Sequence, residues 1–149
     1  MNQRVHRRTW FSPGLTGRRP RLLIEDGRPA LAISDFSLFE EAGFDVAFCS
    51  GPGSDPGACP LLRGEQCALV AGADVVLHGL DPGLGVAAAI RRQRPELPVV
   101  VEQHRDDAGA ADPLPAGCVP LRYPCSVAGQ IDALFRAEAV ARHAAETDG

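Results

Sequence analysis

The chain has no lysine. All 15 of its basic residues are arginine, so no chemistry that needs a lysine ammonium can be carried out by its own side chains. It has no apolar run long enough to cross a bilayer and no secretory h-region at its start. The expected location is therefore the cytoplasm, with no membrane insertion. It has no C-x2-C pair, which removes the ordinary zinc and iron–sulfur spacings. Its five cysteines are an odd number, and that argues against a closed disulfide framework. Aromatic residues are few, at 5%, so Trp10 and Tyr123, each the single residue of its kind, draw attention.

What is present suits one folded unit. A chain of 149 residues with 45% apolar content is enough for one core. The Arg-, Ala-, Gly- and Pro-rich composition reads as a coding bias, without functional content. Charge is uneven. Residues 1–21 hold six arginines and no acid, while the remainder holds nine arginines against 19 acids, a net of −10. The expected organisation is a basic, flexible arm over 1–20, a domain over 21–145 and a tail over 146–149. A basic arm can touch nucleic acid, an acidic partner or the body itself, or stay solvated.

Short apolar runs alternate with helical periodicity. Strands are expected at Leu22–Ile24, Asp45–Cys49, 74–78, Leu97–Val101 and 117–122. A helix is expected over 29–42, with Leu31, Ala32, Phe36, Leu38 and Phe39 forming its apolar stripe. Another runs from Gly83 to Gln93. A last one, capped by Ser126, carries the stripe Val127, Ile131, Leu134 and Phe135. Residues 50–72 are rich in Pro and Gly and read as mostly irregular. The stretch 104–116 allows a short helix at best. This alternation implies an α/β doubly wound parallel sheet covered on both faces. Functional groups in such sheets collect at the carboxyl ends of the strands.

Four strand ends are polar: Leu22-Leu23-Ile24-Glu25-Asp26, Asp74-Val75-Val76-Leu77-His78-Gly79, Pro98-Val99-Val100-Val101-Glu102-Gln103 and Val119-Pro120-Leu121-Arg122-Tyr123-Pro124. In order and spacing, over roughly residues 21–140, they resemble the receiver domain of response regulators. That resemblance implies a five-stranded sheet of order 2-1-3-4-5. It also implies a crevice holding an acidic pair, a phosphorylated Asp, a Thr or Ser, and a Lys followed by Pro. Glu25 and Asp26 stand at the acidic positions. The other three read Gly79, Gln103 and Tyr123, with Pro124 at the Pro position. Gly79 has no side chain and cannot be a nucleophile. Gln103 lacks the hydroxyl, and Tyr123 carries no charge. His78, on an alternating strand, is expected to point into a helix-facing layer as a core histidine. Asp81 is the remaining loop carboxylate near the site, and in-line attack demands close positioning. Two carboxylates, Glu25 and Asp26, would bind Mg²⁺ weakly at best, and no other cofactor is expected.

Cys49, Cys59 and Cys67 are spaced C-x9-C and C-x7-C. Three readings stay open: apolar packing of an irregular segment, a Cys59–Cys67 redox pair, and a three-thiolate metal site. Together the residues lead to a non-enzymatic, stand-alone pseudo-receiver that works without phosphorylation by binding another protein, through Arg122, Tyr123 and Pro124. No output domain is expected after residue 149. A homodimer is left open, and nucleic acid is expected only through the arm. The alternative is a small-ligand or thiol redox sensor using the crevice or the cysteine segment.

Overall fold

A computed structural model describes residue 10 and residues 19–103, 114–122 and 125–148, and within 29–33 the backbone alone. Five strands form one parallel sheet: β1 (Arg21–Asp26), β2 (Asp45–Cys49), β3 (Val75–Gly79), β4 (Val99–Gln103) and β5 (Cys118–Arg122). Their order is β2-β1-β3-β4-β5, so the chain reverses direction of travel across the sheet beside β1. That reversal opens a crevice at the carboxyl ends of β1 and β3, as doubly wound sheets require.

Helices cover both faces. Helix α1 (Pro29–Ala42) starts on a proline preset for the helical φ. It ends at Gly43, whose φ of 118° is open only to a residue without a side chain. With α4 (Val127–Thr147) it covers one face, over Leu22, Ile24, Val75, Leu77 and Val100. Phe44 and Phe135 stack there at 4.1 Å, and Phe39 and Leu134 are fully enclosed. Leu38, expected in the α1 stripe, is instead 44% exposed. Helix α4 reaches Thr147, into the stretch expected as a tail.

The other face, over Leu23, Val76, Val99 and Val101, is covered by α3 (Val86–Gln93), the five-residue α2 (Ala68–Gly72) and two 3₁₀ turns at Pro56–Ala58 and Leu61–Arg63. The irregular character expected for 50–72 is therefore present, with one short helix inside it. Helix α3 begins at Val86, three residues after the expected start. Gly85 takes a left-handed φ of 74°, which closes a separate 3₁₀ turn at Pro82–Leu84 first. The short α2 is held by Arg94, whose Nη1 donates to the carbonyls of Val70, Ala71 and Ala73 at 2.9, 3.3 and 2.7 Å. A cation at the carbonyl end of a helix is favourable.

The arm expected over 1–20 contacts the body at its described residues: the Arg19 guanidinium donates to the Glu40 carbonyl, the Pro20 carbonyl accepts from the Asp45 N–H at 2.8 Å, and Trp10 docks. Trp10 packs against the α2/α3 cluster, with the Arg21 guanidinium 5.7 Å from its ring centre. Gly72 makes room for it, because a Cβ there would overlap the indole. Arm residues 1–9 and 11–18 lie outside the described residues.

Candidate functional site

Parallel pairing places Glu25 beside both Cys49 and His78, and Asp26 beside Gly79. Successive side chains on a strand point to opposite faces. The side chains at the two expected acidic positions thus leave opposite faces of the sheet, although both residues border the strand-end cavity.

Asp26 faces the α1/α4 side, into a cavity of about 180 Å³ that Glu25 also borders, with Arg28, Asp35, Glu102, Cys125 and Gln130. Its carboxylate accepts from the Arg28 backbone N–H at 2.8 Å and pairs with the Arg28 Nε at 3.2 Å. Glu25 sends its carboxylate the other way. It is 3% exposed, and its Oε1 lies 2.7 Å from Nδ1 of His78, itself 2% exposed. His78 is the satisfied core histidine expected of it. Glu25 is not solvated at the crevice mouth. A buried carboxylate keeps a partner because an unpaired charge there is costly, and His78 holds this one away from Asp26.

Gly79 closes β3. A Cβ on it would lie 3.1 Å from Glu102 Oε2, 3.3 Å from the Glu25 carbonyl oxygen and 3.5 Å from Asp26 Oδ2. The space above Gly79 therefore belongs to Glu102, whose Oε1 accepts from Gln130 Nε2 at 2.9 Å. Glu102 was missed in the sequence because β4 runs two residues further than expected, over Val99–Gln103. Leu77 pairs with Val100, so the same register sets Glu102 opposite Gly79. Gln103 follows Val101 onto the opposite face and does not line the cavity.

Asp81 is exposed and caps the turn after β3, accepting from the Gly83 N–H at 2.8 Å. Arg122 is exposed at the end of the edge strand β5, in register with Gln103. Tyr123 and Pro124 lie outside the described residues.

The three clustered cysteines share a second, smaller cavity of about 70 Å³ with Glu25, Leu61 and Leu80. All three pack against the α2/α3 cluster as free thiols. Burial, with the Glu25 carboxylate adding to it, pushes the Cys49 thiol up to about 11, against a smaller opposing pull from the Gly51 N–H. Among the described residues, no three His, Cys, Asp or Glu side chains gather closely enough to hold a metal ion, and no helix is long and apolar enough to cross a membrane.

No protein-family model matches the chain, and no curated protein matches it in sequence. Solved structures do match. A response regulator receiver domain protein from Clostridium thermocellum aligns with a TM-score of 0.63 over 83% of this chain and 97% of its own, at 19% identity. A CheY-like receiver domain protein from Methanospirillum hungatei gives 0.59 over 88% and 99%, at 15% identity. The fold is that of a receiver domain. NtrX from Brucella abortus matches this receiver-like chain over 87% of its length but only 29% of the NtrX chain, with a TM-score of 0.62 and 19% identity. The shared fold accounts for the crevice at the ends of β1 and β3.

Proposed function

We propose that this receiver-like domain is a pseudo-receiver: a cytoplasmic, non-enzymatic protein that regulates or stabilises a partner by binding it, without being phosphorylated. One observation carries the reading. Where the fold offers a place for an acceptor side chain, the chain has Gly79, and the Glu102 carboxylate stands over it, hydrogen-bonded to Gln130. A carboxylate fixed by α4 in that space opposes the approach of a dianionic phosphoryl group. Two other nearby candidates are engaged elsewhere, His78 with Glu25 and Asp81 with its own turn. With no lysine in the chain, an incoming phosphoryl group would also lack an ammonium partner from this protein.

The binding surface we assign is the β5 edge. Val119 is 40% exposed, and Pro120 and Arg122 are exposed beside it. An edge strand with an exposed Arg and apolar neighbours suits a protein partner. Tyr123 and Pro124 follow directly in sequence and belong to the proposal on that ground alone. Weak Mg²⁺ binding would rest on Asp26 without Glu25, whose carboxylate is spent on His78. The decisive test is incubation of the intact protein with acetyl phosphate and Mg²⁺, followed by intact-mass spectrometry. No added phosphoryl mass is expected, and a stoichiometric phosphoprotein would overturn the reading.

A second reading, a thiol redox sensor, is favoured by the common cavity of Cys49, Cys59 and Cys67. Since Cys49 is held protonated at neutral pH, thiolate chemistry would fall to Cys59 and Cys67. Counting free thiols before and after hydrogen peroxide decides it, because sensing requires two of them to be lost together and recovered by reductant.

A further inference from the structure

We infer that the small thiol cavity is a modification site whose state is passed to the strand-end crevice: a small, uncharged sulfur electrophile adds to Cys59 or Cys67, and Glu25 carries the change to the crevice. This rests on the thiol-sensor reading, names its reagent class and assigns what it regulates. It does not depend on whether the chain is phosphorylated.

Two separate connections join the cavities. The first is Glu25, which borders both of them. Cys49 and His78 are its register partners on β2 and β3, so the three side chains stand in one row on one face. The Glu25 carboxylate is held 2.7 Å from Nδ1 of His78 in that row, and its chain neighbour Asp26 lines the crevice. A group that crowds the thiol cavity therefore presses on a buried side chain with little room to move. The second connection is the end of β3. Leu80 walls the thiol cavity and directly follows Gly79, over which Glu102 stands. Leu80 is itself tightly set, since a Cβ on Gly51 would come within 2.8 Å of its Cδ2.

Two of the three thiols suit the reaction. Cys59 and Cys67 are partly exposed and sit at the junctions of the irregular segment, one closing the Pro56–Ala58 turn and the other opening α2. Cys49 lies on β2, and its Sγ accepts from the Gly51 N–H at 3.4 Å. Burial first, then the neighbouring Glu25, Cys67 and Cys59, keep its proton in place, and the thiolate is the reactive form.

The cavity also selects the reagent. A cavity of about 150 Å³ admits benzene, so one of about 70 Å³ holds only a group of a few heavy atoms. Its wall is mostly apolar, with Leu61 and Leu80, beside the Glu25 carboxylate, and such a wall opposes an anion. In the step itself the thiol proton goes to solvent, and the thiolate attacks the sulfenyl sulfur of a thiosulfonate. A new S–S bond forms, the bond to the sulfonyl sulfur breaks, and the sulfinate leaves with the electron pair.

The test uses the uniformly ¹⁵N-labelled full chain carrying Cys118→Ser and Cys125→Ser, the second because Cys125 itself borders the crevice. One portion receives methyl methanethiosulfonate, which leaves a neutral methylthio group. Another receives 2-sulfonatoethyl methanethiosulfonate, which leaves an anionic one. Peptide mapping places the adducts, and NMR follows the crevice. The methyl reagent should label Cys59 or Cys67 ahead of Cys49. It should shift the backbone amides of Asp26 and Gly79 and the side-chain amide of Gln130, and dithiothreitol should reverse all three shifts. The disadvantage of the anionic reagent at these thiols should be about ten-fold greater in the folded chain than in urea. Glu25→Gln should shrink the crevice shifts that the same adduct produces. Labelling that leaves the crevice amides unmoved, equal selectivity in the folded chain and in urea, or undiminished shifts in Glu25→Gln would each overturn the inference and leave the thiol-sensor reading standing. No labelling of Cys59 or Cys67 in the folded chain would overturn both.

Discussion

Glu102 occupies the space that Gly79 leaves empty, its Oε2 standing 3.1 Å from where a Cβ on residue 79 would be. The two residues are a matched pair, and either one changed alone is unfavourable. Gly79→Asp would add a carboxylate beside Glu102 and Asp26, and like charges at that distance repel. The expected loss is about 1–2 kcal/mol of stability, within the ordinary range for a single substitution that crowds a site. Urea denaturation checks it. Adding Glu102→Gln should return most of the loss, a coupling that additive, independent sites would not show.

The buried pair of Glu25 and His78 makes a second prediction. His78→Ala would leave the Glu25 carboxylate 3% exposed and without its 2.7 Å partner. Removing one member of a buried pair costs about 3–5 kcal/mol. The double replacement Glu25→Leu with His78→Leu should cost far less than His78→Ala, since no stranded charge remains. If His78→Ala unfolds at the wild-type urea midpoint, the pair contributes nothing.

Trp10 is the only tryptophan, so its emission reports the arm alone. Trp10→Ala should lower the melting temperature by several degrees, through a loss of about 1–2 kcal/mol for a partly buried ring. Gly72→Ala should produce a similar loss for a different reason, because the new methyl overlaps the indole. In that variant the emission should move to the red as the ring enters water. A blue, unshifted spectrum in Gly72→Ala would mean that the indole does not sit against residue 72. Contact with the body is one of the options that the arm's sequence left open, and Trp10 takes it.

Much of the fold was legible because apolar runs are a strong signal. The runs at Leu22–Ile24, Val75–Leu77 and Val99–Val101 mark three central strands, buried on both faces, and Ser126 and Gly43 bracket their helices as their chemistry requires. The site was less legible, and the reason is register. Glu25 and His78 were each visible as polar residues at strand ends, but their pairing depends on which residue of β1 faces which residue of β3. Glu102 was passed over for Gln103 for the same reason: a strand ended two residues early hides the residue that shares a face with Gly79. One chain carries no information on the alignment of two distant strands, beyond the rule that a one-residue slip exchanges the faces. Gln130 was hidden differently. Its place in a helix reads as polar surface, and only the packing of α4 over β4 buries it against Glu102.

Cys49 carries a pH dependence whose sign can be worked out. Its thiol titrates at about 11 in the folded protein against 9.0 for the free group. Below pH 9 both states hold the proton, and the thiol contributes no pH dependence. Between about 9 and 11 the unfolded chain releases it while the folded one retains it, so the unfolded state binds fewer protons and stability falls as pH rises. The loss attributable to this group should be at most about 2 kcal/mol once the pH passes the folded titration. Each pH unit separating the folded and unfolded titrations is worth about 1.4 kcal/mol, and the partial exposure of the side chain reduces the total. Cys49→Ala removes the group and should flatten that part of the stability curve while lowering stability at neutral pH by about 1 kcal/mol through lost packing. The same protonation protects the thiol. Against a maleimide at neutral pH, Cys49 should be the slowest of the cysteines whose alkylation is followed by peptide mapping, since the thiolate is the reactive form. Rapid labelling of Cys49 in the folded protein, at a rate equal to that in urea, would show that neither its burial nor the Glu25 carboxylate beside it controls its chemistry.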